Sequence, residues 1–89
     1  MLEKLAIGTD IVEINRFRKL PYTKNKKFYN KIFTKSEITY CIKYKDPYPH
    51  FAVRFAGKEA VIKSIKNKIE MKDIEICHKK SKPFIKILK

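Results

Sequence analysis

The residues best suited to chemistry are a few acids and bases beside the chain's two glycines. Gly8 and Gly57 each stand two positions before an acid, in Gly8-Thr9-Asp10 and Gly57-Lys58-Glu59. Glycine removes the side chain where a backbone or a ligand must come close. Gly57 lies in a stretch that reads as helix, where it costs about 1 kcal/mol relative to alanine. Close packing or a bound ligand should compensate. Two carboxylates brought together from a strand end and a helix would suit Mg²⁺, which takes one or two carboxylates and completes its shell with water and phosphate oxygens. Nearby lysines would neutralise the remaining phosphate charge, which suits phosphoryl transfer, a reaction dominated by positioning and electrostatics. Each residue also has a plainer reading. Asp10 alone is a turn or cap residue. Glu59 and Lys63 alone are an i,i+4 surface ion pair worth about 0.2–0.5 kcal/mol. On pattern alone the plainer readings weigh more.

Other chemistries find less support. His50 precedes the long helix and reads as exposed or as a local cap; His78 sits at a strand end and reads as structural. Cys41 and Cys77 are too few and too far apart for a disulfide framework or a zinc site. There is no Ser/His/Asp arrangement and no glycine-rich phosphate loop. The five tyrosines lack the order of an RNA-recognition signature.

The elements that must position these groups read as follows. Leu5 to Ile14 is apolar and β-branched, a buried strand ending near Asp10. A lysine-rich connector surrounds Pro21 and Asn25. Phe28, Tyr29, Ile32 and Phe33 suit a short amphipathic helix. Thr34-Lys35-Ser36-Glu37 fits a capping box, with Ile38, Cys41 and Ile42 as the apolar face that follows. Lys45 to Pro49 breaks that helix. A longer helix is predicted from about Phe51 to Asn67. At about 100° per residue, Phe51, Phe55, Ile62 and Ile65 share its core face, while Glu59, Lys63 and Lys66 share a second face with Ala52 and Ala56. Arg54 and Lys58 fall in or beside the apolar sector, so they must snorkel or meet an anion or a neighbouring subunit. The end of the chain reads as a hairpin: strand 73–78, a turn over Lys79 to Lys82, then strand 83–88. The fold class is α+β.

The 89 residues carry 22 lysines and arginines against 9 acids, a net charge of +13. A single domain with a thin core is expected. The charge favours anionic partners, although a general drift toward lysine and isoleucine would also produce it. No apolar run approaches the roughly 18 residues of a membrane span. The N-terminus lacks a signal-peptide pattern, and a reduced cytoplasm is the simplest setting.

Two stretches add a resemblance. Ile7-Gly8-Thr9-Asp10-Ile11-Val12-Glu13-Ile14-Asn15-Arg16-Phe17 resembles the N-terminal motif of holo-acyl-carrier-protein synthases. Arg54-Phe55-Ala56-Gly57-Lys58-Glu59-Ala60-Val61-Ile62-Lys63 resembles their second motif, F-A-x-K-E-A-x-x-K. Ile32-Phe33-Thr34-Lys35-Ser36-Glu37 resembles the family at the same relative place. The resemblance implies a 4′-phosphopantetheinyl transferase-like fold: an N-terminal strand, helices and a C-terminal antiparallel hairpin. It implies transfer of 4′-phosphopantetheine from coenzyme A to a serine of apo acyl carrier protein, with release of adenosine 3′,5′-bisphosphate. That activity belongs to fatty acid biosynthesis and lipid metabolism.

By resemblance, Asp10 and Glu59 hold Mg²⁺, and Lys63 joins them as a catalytic group. Arg54, Lys58 and Lys63 lie near the coenzyme A phosphates. Arg16 lies on the carrier-docking surface, which Arg18 extends. The family commonly forms trimers with active sites between subunits. Members usually continue into a further strand region with a serine- and histidine-containing motif; this chain stops at Lys89, so a C-terminally short domain is expected. A binding-only protein for coenzyme A or the carrier is the alternative. A basic nucleic-acid-binding module rests on charge alone and is the weaker one.

Overall fold

The computed structural model describes residues 13–65, 68–79 and 82–88. Most of the N-terminal strand expected over 5–14, with Asp10 at its end, lies outside them. Residues 13–18 are helical (α1), so the backbone past Val12 has left any strand conformation. α1 departs from the strand reading of this stretch; Ile14 packs against the core and Phe17 is its one buried residue. That ring is 3% exposed. It lies 5.7 Å from Tyr29, 5.9 Å from Phe33 and 5.7 Å from Phe55, centre to centre. Such aromatic contacts add about 0.5–1.5 kcal/mol each beyond area burial.

The connector after α1 holds a 3-10 turn, Tyr22–Lys24, followed by α2, Lys26–Ile32. Tyr29 on α2 is fully buried, and its hydroxyl donates to the carbonyls of Leu20, at 2.7 Å, and Phe17, at 3.2 Å. The carbonyls where α1 ends are thereby satisfied by a side chain. Phe33 turns extended and closes α2. Thr34 is also extended and caps α3, Lys35–Ile42. The capping box is formed as its sequence implies: Glu37 N–H donates to Thr34 Oγ1, and Thr34 N–H donates to Glu37 Oε1.

The long helix, α4, spans Tyr48–Ser64, with Pro47 at its N-cap position. It begins before the predicted Phe51. Pro49 falls in the first turn, where the missing N–H has no intrahelical partner to lose. It ends before the predicted Asn67, since Ile65 is already extended. Phe51 and Ala52 reach the core, which also holds Phe17, Tyr29, Phe33, Ile38 and Cys41. Phe55 and Ile62 are half-buried rather than enclosed.

A second 3-10 turn, Met71–Asp73, leads into β1, Ile74–Lys79, which pairs antiparallel with β2, Lys82–Ile87. Lys79 still pairs with Lys82, so the connection is tighter than the four-residue turn expected. Ile74 and Ile76 are buried, while Glu75 and Cys77 alternate onto the other face. Contacts of β1 with α3 and α4 place the hairpin against the helices. Phe84, Ile85, Ile87 and Leu88 remain exposed.

Candidate functional site

Gly57, Lys58 and Glu59 follow one another on α4 but meet very different surroundings. Gly57 is buried, in keeping with the close packing its sequence position calls for. The Lys58 side chain is fully enclosed, and its ammonium lies 2.5 Å from Glu37 Oε1. It also donates to the Ile32 carbonyl at 2.8 Å and to the Met71 carbonyl at 3.0 Å. Three acceptors require three protons, so this geometry describes an ammonium rather than a neutral amine. Burial pushes the Lys58 pKa below the ordinary lysine value, with the Glu37 carboxylate opposing.

Glu37 is equally enclosed. Its Oε1 accepts from Lys58 and Thr34 N–H, and its Oε2 accepts from Ile76 N–H at 2.8 Å. One carboxylate therefore caps α3, neutralises α4 and anchors β1. Thr34 Oγ1 extends the network by donating to Glu75 Oε2 at 2.5 Å.

Lys58 is expected near the coenzyme A phosphates by resemblance, and the structure places it inside the fold. Its amine has no exposed surface, and each donor is taken by an acceptor of this chain. The anion that a charge in the apolar sector demands is Glu37. Sequence reasoning saw Glu37 only as a helix cap. The available signal was the misplaced lysine itself, since a buried cation needs a carboxylate.

Arg54 is also withdrawn, at 2% exposure. Its guanidinium lies over the Tyr40 ring, and Nη1 donates to the His50 carbonyl at 3.3 Å. It forms part of the wall of a cleft of about 320 Å³ shared with Ser36, Glu75, Cys77 and Lys86. His50 is half-buried and stacks on Tyr44 at 3.8 Å, so neither a fully exposed residue nor a cap describes it.

Glu59 is half-buried and Lys63, one turn on, is exposed. The i,i+4 ion pair is not formed, and neither side chain has a hydrogen bond or ion pair among the described residues. No three His, Cys, Asp or Glu side chains cluster there either. Glu59 thus offers a single hard oxygen donor with a cation on the same face. That chemistry fits Mg²⁺ shared with phosphate oxygens. Asp10, its expected companion, lies outside the described residues, as does Lys66.

Arg16 and Arg18 stand at the surface on α1. Arg16 pairs with Glu13 at 2.9 Å, and Arg18 pairs with Asp46 in the loop between α3 and α4. Exposed pairs like these are worth about 0–1 kcal/mol, so an acidic partner could exchange for either acid at little cost. No helix among the described residues is long and apolar enough to cross a membrane.

Comparison with known proteins shows the family. The family described as the 4′-phosphopantetheinyl transferase superfamily matches residues 6–89. The chain is 51% identical to the Holo-[acyl-carrier-protein] synthase of Chlamydia felis, covering 92% of this chain and 70% of that protein. It is 44% identical to the protein of that name from Thermodesulfovibrio yellowstonii, covering 80% of this chain and 65% of the relative. A Leptospira biflexa protein of the same name is 43% identical, covering 82% and 61%. No solved structure matches the chain. With the match spanning nearly its whole length, the chain belongs to the 4′-phosphopantetheinyl transferase superfamily.

Proposed function

We propose that this chain is a holo-[acyl-carrier-protein] synthase, moving 4′-phosphopantetheine from coenzyme A to a serine of apo acyl carrier protein. The observation that carries this reading is the contrast along α4. Lys58 is spent inside the fold, while Glu59 and Lys63 are left with no described partner on one face. Glu59, together with Asp10, would hold Mg²⁺. The ion would supply charge stabilisation at the diphosphate. Lys63 adds a second positive centre toward the phosphate oxygens, and Arg54 lends positive potential from beside Tyr40.

In the reaction the carrier serine oxygen bonds to the phosphorus bearing the pantetheine arm. The bridging bond to the nucleotide phosphate breaks, and adenosine 3′,5′-bisphosphate leaves. The serine proton passes to Glu59 or to water. Arg16 and Arg18 would meet an acidic carrier surface and speed encounter. A trimer with sites between subunits, a cytoplasmic setting and a place in fatty acid biosynthesis complete the proposal.

Mass spectrometry tests it. Incubation with coenzyme A, Mg²⁺ and apo carrier protein should add one phosphopantetheine to the carrier, and Glu59→Gln should abolish the gain. No gain, with an active relative alongside, would overturn the activity. Coenzyme A binding by calorimetry under those conditions would then identify a binding-only protein.

A further inference from the structure

We infer that Lys58 and Glu37 form a positioning pair that sets where the Glu59 carboxylate stands, and so sets the strength of the metal site. The inference rests on the reading of Glu59 as a metal ligand. Lys58 immediately precedes Glu59 on α4, and its ammonium is tied to three other elements. These are the last residue of α2 through the Ile32 carbonyl, α3 through Glu37, and the 3-10 turn before β1 through the Met71 carbonyl. Glu37 in turn holds the Ile76 N–H of β1.

A helix held by one side chain to acceptors on several neighbours cannot slide or rotate without breaking charge-assisted bonds in a dry interior, where unmade bonds are expensive. The place and Cα–Cβ direction of residue 59 are thereby fixed. Glu59 has no described hydrogen bond of its own to orient it. Its aim toward a cation must come from the backbone that Lys58 pins. Groups that orient a metal ligand typically alter metal affinity by about 10–100-fold when removed.

The test uses Mn²⁺ as a spectroscopic stand-in for Mg²⁺, with free ion measured by electron paramagnetic resonance in the presence of adenosine 3′,5′-bisphosphate. Variants are read at a temperature where circular dichroism shows them fully folded. Lys58→Met and Glu37→Gln should each weaken Mn²⁺ binding by about 10–100-fold, and their combination should be no worse than either alone. Where the single variants do not fold, Glu37→Leu with Lys58→Met removes both buried charges together and is expected to fold; the same loss of Mn²⁺ affinity is expected.

Glu59→Gln is the reference. Weakened binding in Glu59→Gln alongside unchanged binding in the folded Lys58 and Glu37 variants overturns the positioning role alone. Unchanged binding in Glu59→Gln overturns the metal-ligand reading and the inference with it. A rise in KM for coenzyme A with Mn²⁺ affinity kept would show Lys58 meeting the substrate instead, and would also overturn it.

Discussion

Arg54 on α4 holds its guanidinium carbon 4.1 Å from the centre of the Tyr40 ring on α3. This contact makes a buried arginine tolerable, because an aromatic face attracts a cation where water is excluded. A double-mutant cycle of Arg54→Ala and Tyr40→Leu should give a coupling of about 0.5–2 kcal/mol in chemical denaturation. Arg54→Lys should recover only part of it, since an ammonium has no plane to lay on the ring. Additive single effects would show that the pair does not interact.

The Lys58–Glu37 pair should be asymmetric to mutation. Glu37→Ala leaves an ammonium buried without its counter-charge and should cost about 3–5 kcal/mol. The apolar double variant Glu37→Leu with Lys58→Met should cost less than that single change. Thr34→Ala removes the cap of α3 and should cost about 0.5–2 kcal/mol. Urea midpoints order these variants; a double variant no more stable than Glu37→Ala would contradict the account.

The aromatic core supplies a third expectation. Phe51 is fully enclosed, with ring centres of Tyr29 at 4.8 Å and Phe33 at 4.9 Å. Phe51→Ala should cost about 3–5 kcal/mol. Tyr29→Phe keeps the ring but removes the hydroxyl that donates to the Leu20 carbonyl, while the Phe17 carbonyl keeps the Leu20 N–H. It should cost about 0.5–1.5 kcal/mol, read in the same unfolding experiment.

His50 should make stability depend on pH. Burial, then the Arg54 charge, holds its pKa below the ordinary 6.5, with Asp46 opposing and Lys43 adding to the depression. A depressed histidine favours the neutral form in the folded state. Its contribution is therefore fully present above pH 6.5 and lost as pH falls through the folded value. An NMR titration should find the His50 midpoint below that of a model peptide, and His50→Gln should flatten the acid side of the stability profile. A midpoint at or above the peptide value would refute the assignment.

Cys41 should resist thiol reagents. It is fully buried, and burial pushes its thiol up to about 12. At neutral pH its labelling should proceed only through opening of the fold, whereas half-buried Cys77 should react sooner. Because the folded thiol keeps its proton, stability should fall as pH rises above the ordinary 9.0. Peptide mapping after brief alkylation distinguishes the two; equal labelling would contradict the burial of Cys41.

Much of the architecture was legible where a local rule decides it. Thr34 and Glu37 sit three residues apart, and the capping box they form is closed by residues in reach of one another. The alternation from Ile74 to Cys77 marks a strand with one buried face. α1 does not show in the sequence because its one buried residue is Phe17, whose partners come from α2 and α4. Ile14, which also packs against that core, falls at the end of an apolar, β-branched run that reads as strand.

The sequence by itself determined the run from α2 to the C-terminal hairpin, the family, and the placing of Glu59 and Lys63 on one face of a helix. These follow from spacing along a chain of known period. Only the tertiary structure decided how the charges of α4 are divided. A linear reading sets Arg54 and Lys58 beside the apolar sector without naming what meets them; in the fold Lys58 is claimed by Glu37, Ile32 and Met71, and Arg54 by Tyr40 and His50. The reason is desolvation: a buried cation must find acceptors or an aromatic face wherever the fold brings them, and those groups come from elements distant in sequence.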